Sequence, residues 1–360
     1  MKILSVVGAR PQFVKLAPVA AALDQAGCDH FIAHTGQHYD HQMSDVFFED
    51  LRIPPPDADL GVGSGSHGAQ TAAMLAALED VIDEQRPDWV LAYGDTNSTI
   101  AGALAAVKLH VPVAHLEAGL RSFNRRMPEE HNRVLTDHAA DLLMAPTAAA
   151  MTNLTREGLL ERSRLVGDVM TDICFLVRDA IVRRGPQAPA GLTAGNYVVS
   201  TIHRPDNTDD PLRLARIVTA LQALDNPVLL VAHPRLAARA REYDIDLAKG
   251  AIVLCEPLGY PEMVAAVLQS AGVVTDSGGL QKEAYLLESP CTTIRSETEW
   301  VETLDDGWNV LDNDLERLAE LAARPKPATA VRRHYGDGDA ASKVAALLAA
   351  APPGQEATRV

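Results

Sequence analysis

Short apolar runs alternate with longer stretches whose apolar positions recur every three or four residues along most of the chain. The runs read as strands at Ile3–Val7, Phe31–His34, Trp89–Tyr93, Val111–Leu116 and Leu142–Ala145, with a sixth at Leu165–Val166 ending in Gly167-Asp168. Between them the helical period predicts helices over Val14–Ala26, Gln70–Gln85, Ser98–Leu109, Glu130–His138 and Thr147–Glu157. Strand–helix alternation of this kind predicts a doubly wound parallel sheet with helices on both faces.

The pattern breaks at RRGPQAPAGLTAG (Arg183 to Gly195), whose Gly, Pro and Ala predict a linker or exposed loop. A second alternating series follows, with strands at Tyr197–Thr201, Val228–Ala232, Ile252–Cys255, Gly272–Thr275 and Cys291–Ile294. Its helices fall at Leu212–Leu224, Glu262–Ser270 and Leu280–Leu287, and a last helix is predicted at Ala340–Ala350. Two α/β halves of this type predict two nucleotide-binding-type domains facing a cleft, where a substrate binds by default. The expected boundaries are 1–168 and 169–339, with residues 340–352 packing back on the first domain.

Composition changes this picture little. A chain of 360 residues fits two domains. Its net charge of −16 opposes non-specific binding to nucleic acid or anionic lipid, so an anionic ligand needs a locally basic site. No apolar run reaches the ~18 residues of a membrane span, and MKILSVVGARPQ reads as a first strand rather than a signal peptide. Cys28, Cys174, Cys255 and Cys291 are scattered without a CxxC pair. They predict reduced, buried thiols in a cytoplasmic protein, with neither disulfides nor a metal site.

The chemistry gathers at strand ends, where open α/β sheets bind their ligands. In VPVAHLEAGLRSFNRRMPEEHNR a strand delivers Glu117, and the pair Glu129-Glu130 opens a helix twelve residues later. Arg121, Arg125, Arg126 and Arg133 interleave with these acids, which suits an anionic substrate beside a general acid or base. Asp95, in YGDTN, ends another strand and reads either as a helix N-cap or as a partner of Glu117. Gly8-Ala9-Arg10-Pro11 with Lys15 offers helix-terminal amides and two cations to an anion. His203-Arg204 and His233-Pro-Arg end consecutive strands of the second half, and both are suited to a diphosphate. Thr275-Asp276-Ser277-Gly278-Gly279 reads as a phosphate cradle leading into a helix, with Glu283 inside it placed to accept ribose hydroxyls. No Gly-x-Gly-x-x-Gly fingerprint follows a clear strand, so no nicotinamide cofactor is indicated.

Taken in order, GARPQFVK, TGQHYDHQM, YGDTNST, HLEAGLRS, MPEEHNR, TIHRPDN, HPR, TDSGGLQKEA and TEWVE resemble the non-hydrolysing UDP-N-acetylglucosamine 2-epimerase family across nearly the whole chain. That resemblance implies a GT-B-like pair of Rossmann-like domains, a UDP-sugar substrate, no cofactor and a homodimer. It also implies a mechanism in which a base removes the C2 proton as UDP leaves C1. UDP then re-adds to the 2-acetamidoglucal with C2 protonated from the opposite face, interconverting UDP-N-acetylglucosamine and UDP-N-acetylmannosamine. By resemblance, Asp95, Glu117, Glu129 and His203 are the acid–base and leaving-group residues. Arg10, Lys15, Arg133, His233, Ser277, Gly278, Gly279 and Glu283 bind the substrate. Gln37, His38 and Gln70 match part of a regulatory UDP-sugar pocket, although Tyr39-Asp40 departs from it. In TEWVE, Trp300 stands where many members carry Arg. SFNRRMPEE, GDVM, QKEA and TEWVE look more like a subgroup acting on UDP-2,3-diacetamido-2,3-dideoxyglucuronate. This substrate, and a hydrolysing enzyme releasing free N-acetylmannosamine and UDP, are the alternative readings.

Overall fold

The computed structural model describes residues 1–36, 54–185, 187–189 and 191–350. Its contacts divide the chain into two units, Met1–Ile173 with Arg333–Val360, and Cys174–Arg332.

The first unit carries a parallel sheet of seven strands: β1 (Lys2–Val7), β2 (Asp29–His34), β3 (Ala58–Asp59), β4 (Trp89–Tyr93), β5 (Val113–Leu116), β6 (Leu142–Ala145) and β7 (Ser163–Leu165). Their order is β3-β2-β1-β4-β5-β6-β7. The order reverses between β1 and β4, the switch point at which the turns of such a sheet part to leave room for a ligand. The fifth strand starts two residues later than its apolar run. The Val111 amide is still bonded to Ala106 O at 3.0 Å, and Pro112 has no amide to give a neighbouring strand. Strand β7 lies slightly ahead of its expected place, with Arg164 and Leu165 exposed at the sheet edge.

Helices α1 (Arg10–Gln25), α2 (His67–Gln85), α3 (Asn97–Lys108), α4 (Pro128–Ala139) and α5 (Ala148–Arg156) connect these strands. A further helix, α6 (Val169–Arg184), was not legible in the sequence. Its buried positions Val169, Ile173, Cys174 and Val177 share one face, but polar residues dilute the period. The expected linker therefore begins inside its last turn. The last helix of the chain, Ala340–Ala350, packs against α1. Its first amides, Ala340 N and Ala341 N, donate to Asp172 at 3.1 and 2.7 Å, and Asp168 N donates to Tyr335 O at 2.9 Å. Burial, with Asp168 and Asp339 nearby, pushes the Asp172 carboxyl up to about 6 despite those amides.

The second unit is a six-stranded parallel sheet in the order β10-β9-β8-β11-β12-β13. Its strands are β8 (Val198–Thr201), β9 (Val228–Val231), β10 (Ile252–Cys255), β11 (Gly272–Thr275), β12 (Cys291–Thr293) and β13 (Asn309–Leu311). The pattern predicted five of the six. The missed β13 is three residues long and pairs only with β12 among the described strands, so its apolar signal is weak. Of the helices, α7 (Pro205–Thr208), α8 (Pro211–Gln222), α9 (Pro234–Glu242), α10 (Tyr260–Leu268), α11 (Gly278–Leu286) and α12 (Leu318–Leu321), the arginine-rich α9 was also missed. Only Leu236 and Ala240 of α9 are buried, too few to set a period.

Together the two sheets give the α/β class read from the sequence. All four cysteines are free; Cys174 and Cys291 are buried, whereas Cys28 and Cys255 are only partly so. Among the described residues no helix is long and apolar enough to cross a membrane.

Gly119 follows Glu117 after β5 with φ +83°, and a Cβ there would lie 2.5 Å from the Ala150 carbonyl oxygen and 2.8 Å from Leu154 Cγ. Gly119→Ala combines left-handed strain with overpacking, and is expected to cost about 3 kcal/mol and to lower Tm by roughly 5–10 °C. A thermal melt unchanged by this substitution would show that the turn has room to move.

Candidate active site

In the first unit three turns meet at the carboxyl ends of β1, β4 and β5. Gln12, which is 1 % exposed, ties two of them together. Its Oε1 accepts from Gly8 N and Ala9 N at 2.8 and 3.0 Å, while its Nε2 donates to Tyr93 O at 2.8 Å. The Gly8 and Ala9 amides, read from the sequence as free for an anion, are therefore occupied by a side chain of their own helix. Lys15, one helical turn further, is ion-paired with Glu117. Burial works against the lysine charge, but Glu117, with Asp95 and Asp168, outweighs it and holds Lys15 above its ordinary value. The Arg10 side chain lies outside the described residues, as do Gln37 and His38.

Glu117 is 8 % exposed and has φ +74°, an uncommon backbone for a residue with a Cβ. Its carboxylate lies over Gly94, where a Cβ would come within 3.2 Å of Glu117 Oε2. Strands β4 and β5 are neighbours, which sets Asp95 beside Glu117 in adjacent turns. The N-cap of α3 is Thr96, not Asp95. The Asp95 carboxylate instead pairs with Arg133, and its carbonyl accepts from Asn132 Nδ2 at 3.0 Å.

The two glutamates at the start of α4 divide their labour. Glu129 is half-buried, whereas Glu130 is 5 % exposed. Glu130 accepts from Ser122 N, Ser122 Oγ and Phe123 N at 2.8–2.9 Å and pairs with Arg133 at 3.1 Å. Burial opposes its charge, yet Ser122, Phe123 and Arg133 together keep its carboxyl below the ordinary value. The arginine run is not one basic patch. Arg121 is committed to Asp137 and Glu157, both at 2.7 Å, while Arg125 and Arg126 are exposed. Of these arginines, Arg133 alone pairs with a predicted acid–base residue among the described contacts. Gln70 is buried and bonds Gly63 O and Asn97 Nδ2 at 2.7 and 2.8 Å, which fastens the loop ahead of α2.

The second unit builds its cluster on Asp276, which is 0 % exposed and had no assigned role in the sequence reading. At the end of β11 it accepts from His203 N, Arg204 N and Asn207 Nδ2 at 3.0–3.1 Å, and faces His203 Nδ1 at 3.0 Å. Burial opposes ionisation, but His203, Asn207 and Arg204 keep Asp276 below the ordinary carboxylate range. With Nδ1 turned to Asp276, His203 presents Nε2 away from it. The His233 ring lies 5.4 Å from that of His203, and burial with His203 nearby lowers its basicity. His233 also caps α9 through Nδ1, which accepts from Arg235 N at 3.1 Å.

Ser277 is the N-cap of α11: its hydroxyl accepts from Leu280 N, and its own amide donates to Thr275 Oγ1 at 2.9 Å. The hydroxyl thus shapes the turn, and the amides of Gly278 and Gly279 lead the helix. A Cβ on Gly278 would collide with the Glu299 carboxylate, which pairs with Arg295 at 2.9 Å and Arg204 at 3.4 Å. Trp300, in place of the family's Arg, has the Lys282 ammonium 4.2 Å from its ring centroid. Glu283 lies half-buried one turn into the same helix.

Fold and strand-end clusters together define an α/β enzyme whose acids are held by ion pairs and hydrogen bonds at the ends of its strands. The family profile UDP-N-acetylglucosamine 2-epimerase matches residues 21–349. The UDP-2,3-diacetamido-2,3-dideoxy-D-glucuronate 2-epimerase of Pseudomonas aeruginosa is 45% identical over 97% of this chain and 99% of its own. The UDP-N-acetylglucosamine 2-epimerase of Methanocaldococcus jannaschii is 38% identical over 97% and 99%. A crystal structure of M. jannaschii UDP-GlcNAc 2-epimerase in complex with UDP-GlcNAc and UDP has a TM-score of 0.83 at 36% identity, covering 98% of this chain and 100% of that one. The chain belongs to the UDP-N-acetylglucosamine 2-epimerase family, and is with it an isomerase, a non-hydrolysing UDP-sugar 2-epimerase.

Glu130→Gln is expected to cost about 2 kcal/mol at pH 7, because three charge-assisted hydrogen bonds and an ion pair lose their anion. The folded carboxyl titrates below its unfolded value, so its stabilisation is present above the unfolded pKa and is lost as pH falls through the folded one. Melts of both proteins from pH 7 to pH 3 should therefore converge at the acid end, and a constant gap would contradict the assignment.

Proposed function

We propose that the chain inverts C2 of a UDP-linked 2-acetamido sugar by elimination and re-addition of UDP. The observation that carries this reading is the pair of acids, Asp95 and Glu117, held in adjacent turns and each ion-paired to a cation. In the first half-reaction a carboxylate takes the C2 proton while the C1–O bond breaks and its electron pair leaves with UDP. The C–H electrons become the C1=C2 bond of 2-acetamidoglucal. Re-addition of UDP at C1, with a proton delivered to the opposite face of C2, completes the inversion. Asp95, Glu117 and Glu129 are the acid–base residues of this proposal, and His203, oriented by Asp276, assists the departing diphosphate.

The diphosphate and uridine fall to Arg10, Ser277, Gly278, Gly279 and Glu283, with Arg204 and His233 nearby in the second unit. Lys15 and Arg133 hold Glu117 and Asp95 in place and offer positive charge to the leaving group. A homodimer, which the resemblance to the family implies, is proposed for this chain as well.

Two UDP-sugars fit the chemistry. UDP-N-acetylglucosamine is the first, as in the M. jannaschii relative. The second is UDP-2,3-diacetamido-2,3-dideoxyglucuronate, favoured by the 45% identity with the P. aeruginosa enzyme. It carries the same C2 acetamido group and adds a carboxylate. Each is to be incubated with the protein in deuterated water. Deuterium at C2 of the sugar nucleotide is the expected result, and turnover on the two substrates ranks them. No exchange on either would dismiss the epimerase reading, and free N-acetylmannosamine as the product would replace it with the hydrolysing one. Glu117→Gln and Asp95→Asn keep shape but remove a proton carrier, so each is expected to lower kcat by about 100-fold or more with KM within about threefold. Unchanged kcat in either variant would remove that residue from the chemistry.

A further inference from the structure

His115 and Asp137 are both 0 % exposed and have no part in the reaction proposed above. His115 lies on β5, two residues before Glu117. Its Nδ1 bonds Asp137 Oδ1 at 2.6 Å, and its Nε2 bonds the Gly94 carbonyl oxygen at 2.7 Å. A carbonyl oxygen only accepts. Asp137 is held ionised: burial opposes its charge, but His115 and Arg121 outweigh it and lower its carboxyl. The ring therefore bridges the Asp137 carboxylate and the Gly94 carbonyl. The other Asp137 oxygen accepts from Gly119 N at 3.0 Å and pairs with Arg121 at 2.7 Å.

These contacts link two particular turns. Gly94 precedes Asp95 after β4, and Gly119 follows Glu117 after β5. The buried His115 ring and the buried Asp137 carboxylate on α4 together clamp both turns. Around the pair, Arg121 comes from the loop after β5 and leads to Glu157 at the end of α5, which also faces His138 at 3.3 Å. Strand β6 sets apolar Leu143 opposite His115. On the turns themselves, the charged neighbours are Asp95 with Arg133 and Glu117 with Lys15.

We infer that the His115–Asp137 pair is a positioning device that fixes the separation of Asp95 and Glu117. This rests on the epimerase reading, in which those two acids handle the C2 proton. Neither His115 nor Asp137 reaches a substrate; each acts through the turn it holds. Loss of the ring frees the Gly94 carbonyl, and with it the peptide that leads into Asp95.

The test compares the full-length protein with His115→Asn and with the double variant His115→Asn/Asp137→Asn, on whichever of the two UDP-sugars it turns over. For His115→Asn, kcat and C2 deuterium exchange are expected to fall about 30-fold or more, as misplacement of reacting groups allows. KM and the UDP dissociation constant, measured calorimetrically, should stay within about threefold, because the residues assigned to the nucleotide lie elsewhere. The double variant removes both partners of the clamp and should show the same split, with kcat still lowered and KM still within about threefold.

Activity is counted per molecule that binds UDP, so partial misfolding does not pass for a catalytic loss. Should His115→Asn not fold, the double variant, with no unpaired buried charge, carries the kcat comparison. Normal kcat per binding molecule, or a KM that rises along with the loss of kcat, would overturn the inference. Absence of exchange in the unaltered protein would overturn the epimerase reading, and this inference with it.

Discussion

A buried aspartate underlies the functional cluster of each unit. Asp137 and Asp276 are both fully enclosed, and both face a histidine together with backbone amides from the turns at strand ends. An ionised carboxylate without water is tolerated only where donors surround it, and removing one donor leaves a costly unpaired charge. Each aspartate therefore constrains where the surrounding turns can run. Asp137 gathers Gly119, Arg121 and, through His115, Gly94. Asp276 gathers His203, Arg204 and Asn207. The residues that would meet a substrate are mounted on these frames rather than on free loops.

The frames suit a reaction that moves a proton at carbon and expels a diphosphate. Such chemistry gains most from reacting groups held at fixed separations, because the protein then does little reorganising as charge develops. Ion pairs serve the same end. Lys15 with Glu117 and Arg133 with Asp95 keep each acid in one place, and Glu130 braces the Arg133 side chain from the start of α4. The positive φ of Glu117 is a backbone cost tolerated for the sake of where its carboxylate points.

Much of this was legible along the chain. Fully apolar runs such as Val228–Val231 and Leu142–Ala145 can only be central strands of a covered sheet, and they appear as such. Asp95 and Glu117 were placed in neighbouring turns because they end consecutive strand signals, and β4 does lie beside β5. Elements with weak burial were not legible. The surface helix α9 and the three-residue strand β13 bury too little to set a period. The arginine run after Glu117 was equally misleading, since charge along the sequence does not say which cation turns inward. Arg121 faces Asp137, whereas Arg125 and Arg126 point to solvent.

The sequence by itself determined the two parallel sheets, the strand ends that carry chemistry and the kinds of side chain found there. These follow from local periodicity and from the rule that parallel strands end together. Only the tertiary structure decided which polar groups are already taken. Gln12 occupies the Gly8 and Ala9 amides, the Ser277 hydroxyl caps its helix, and His115 and Asp137 are joined across 22 residues of chain. The physical reason is that a hydrogen bond between distant residues leaves no trace in local pattern. Its partners become known only when packing removes water from both and leaves each the other's best donor or acceptor.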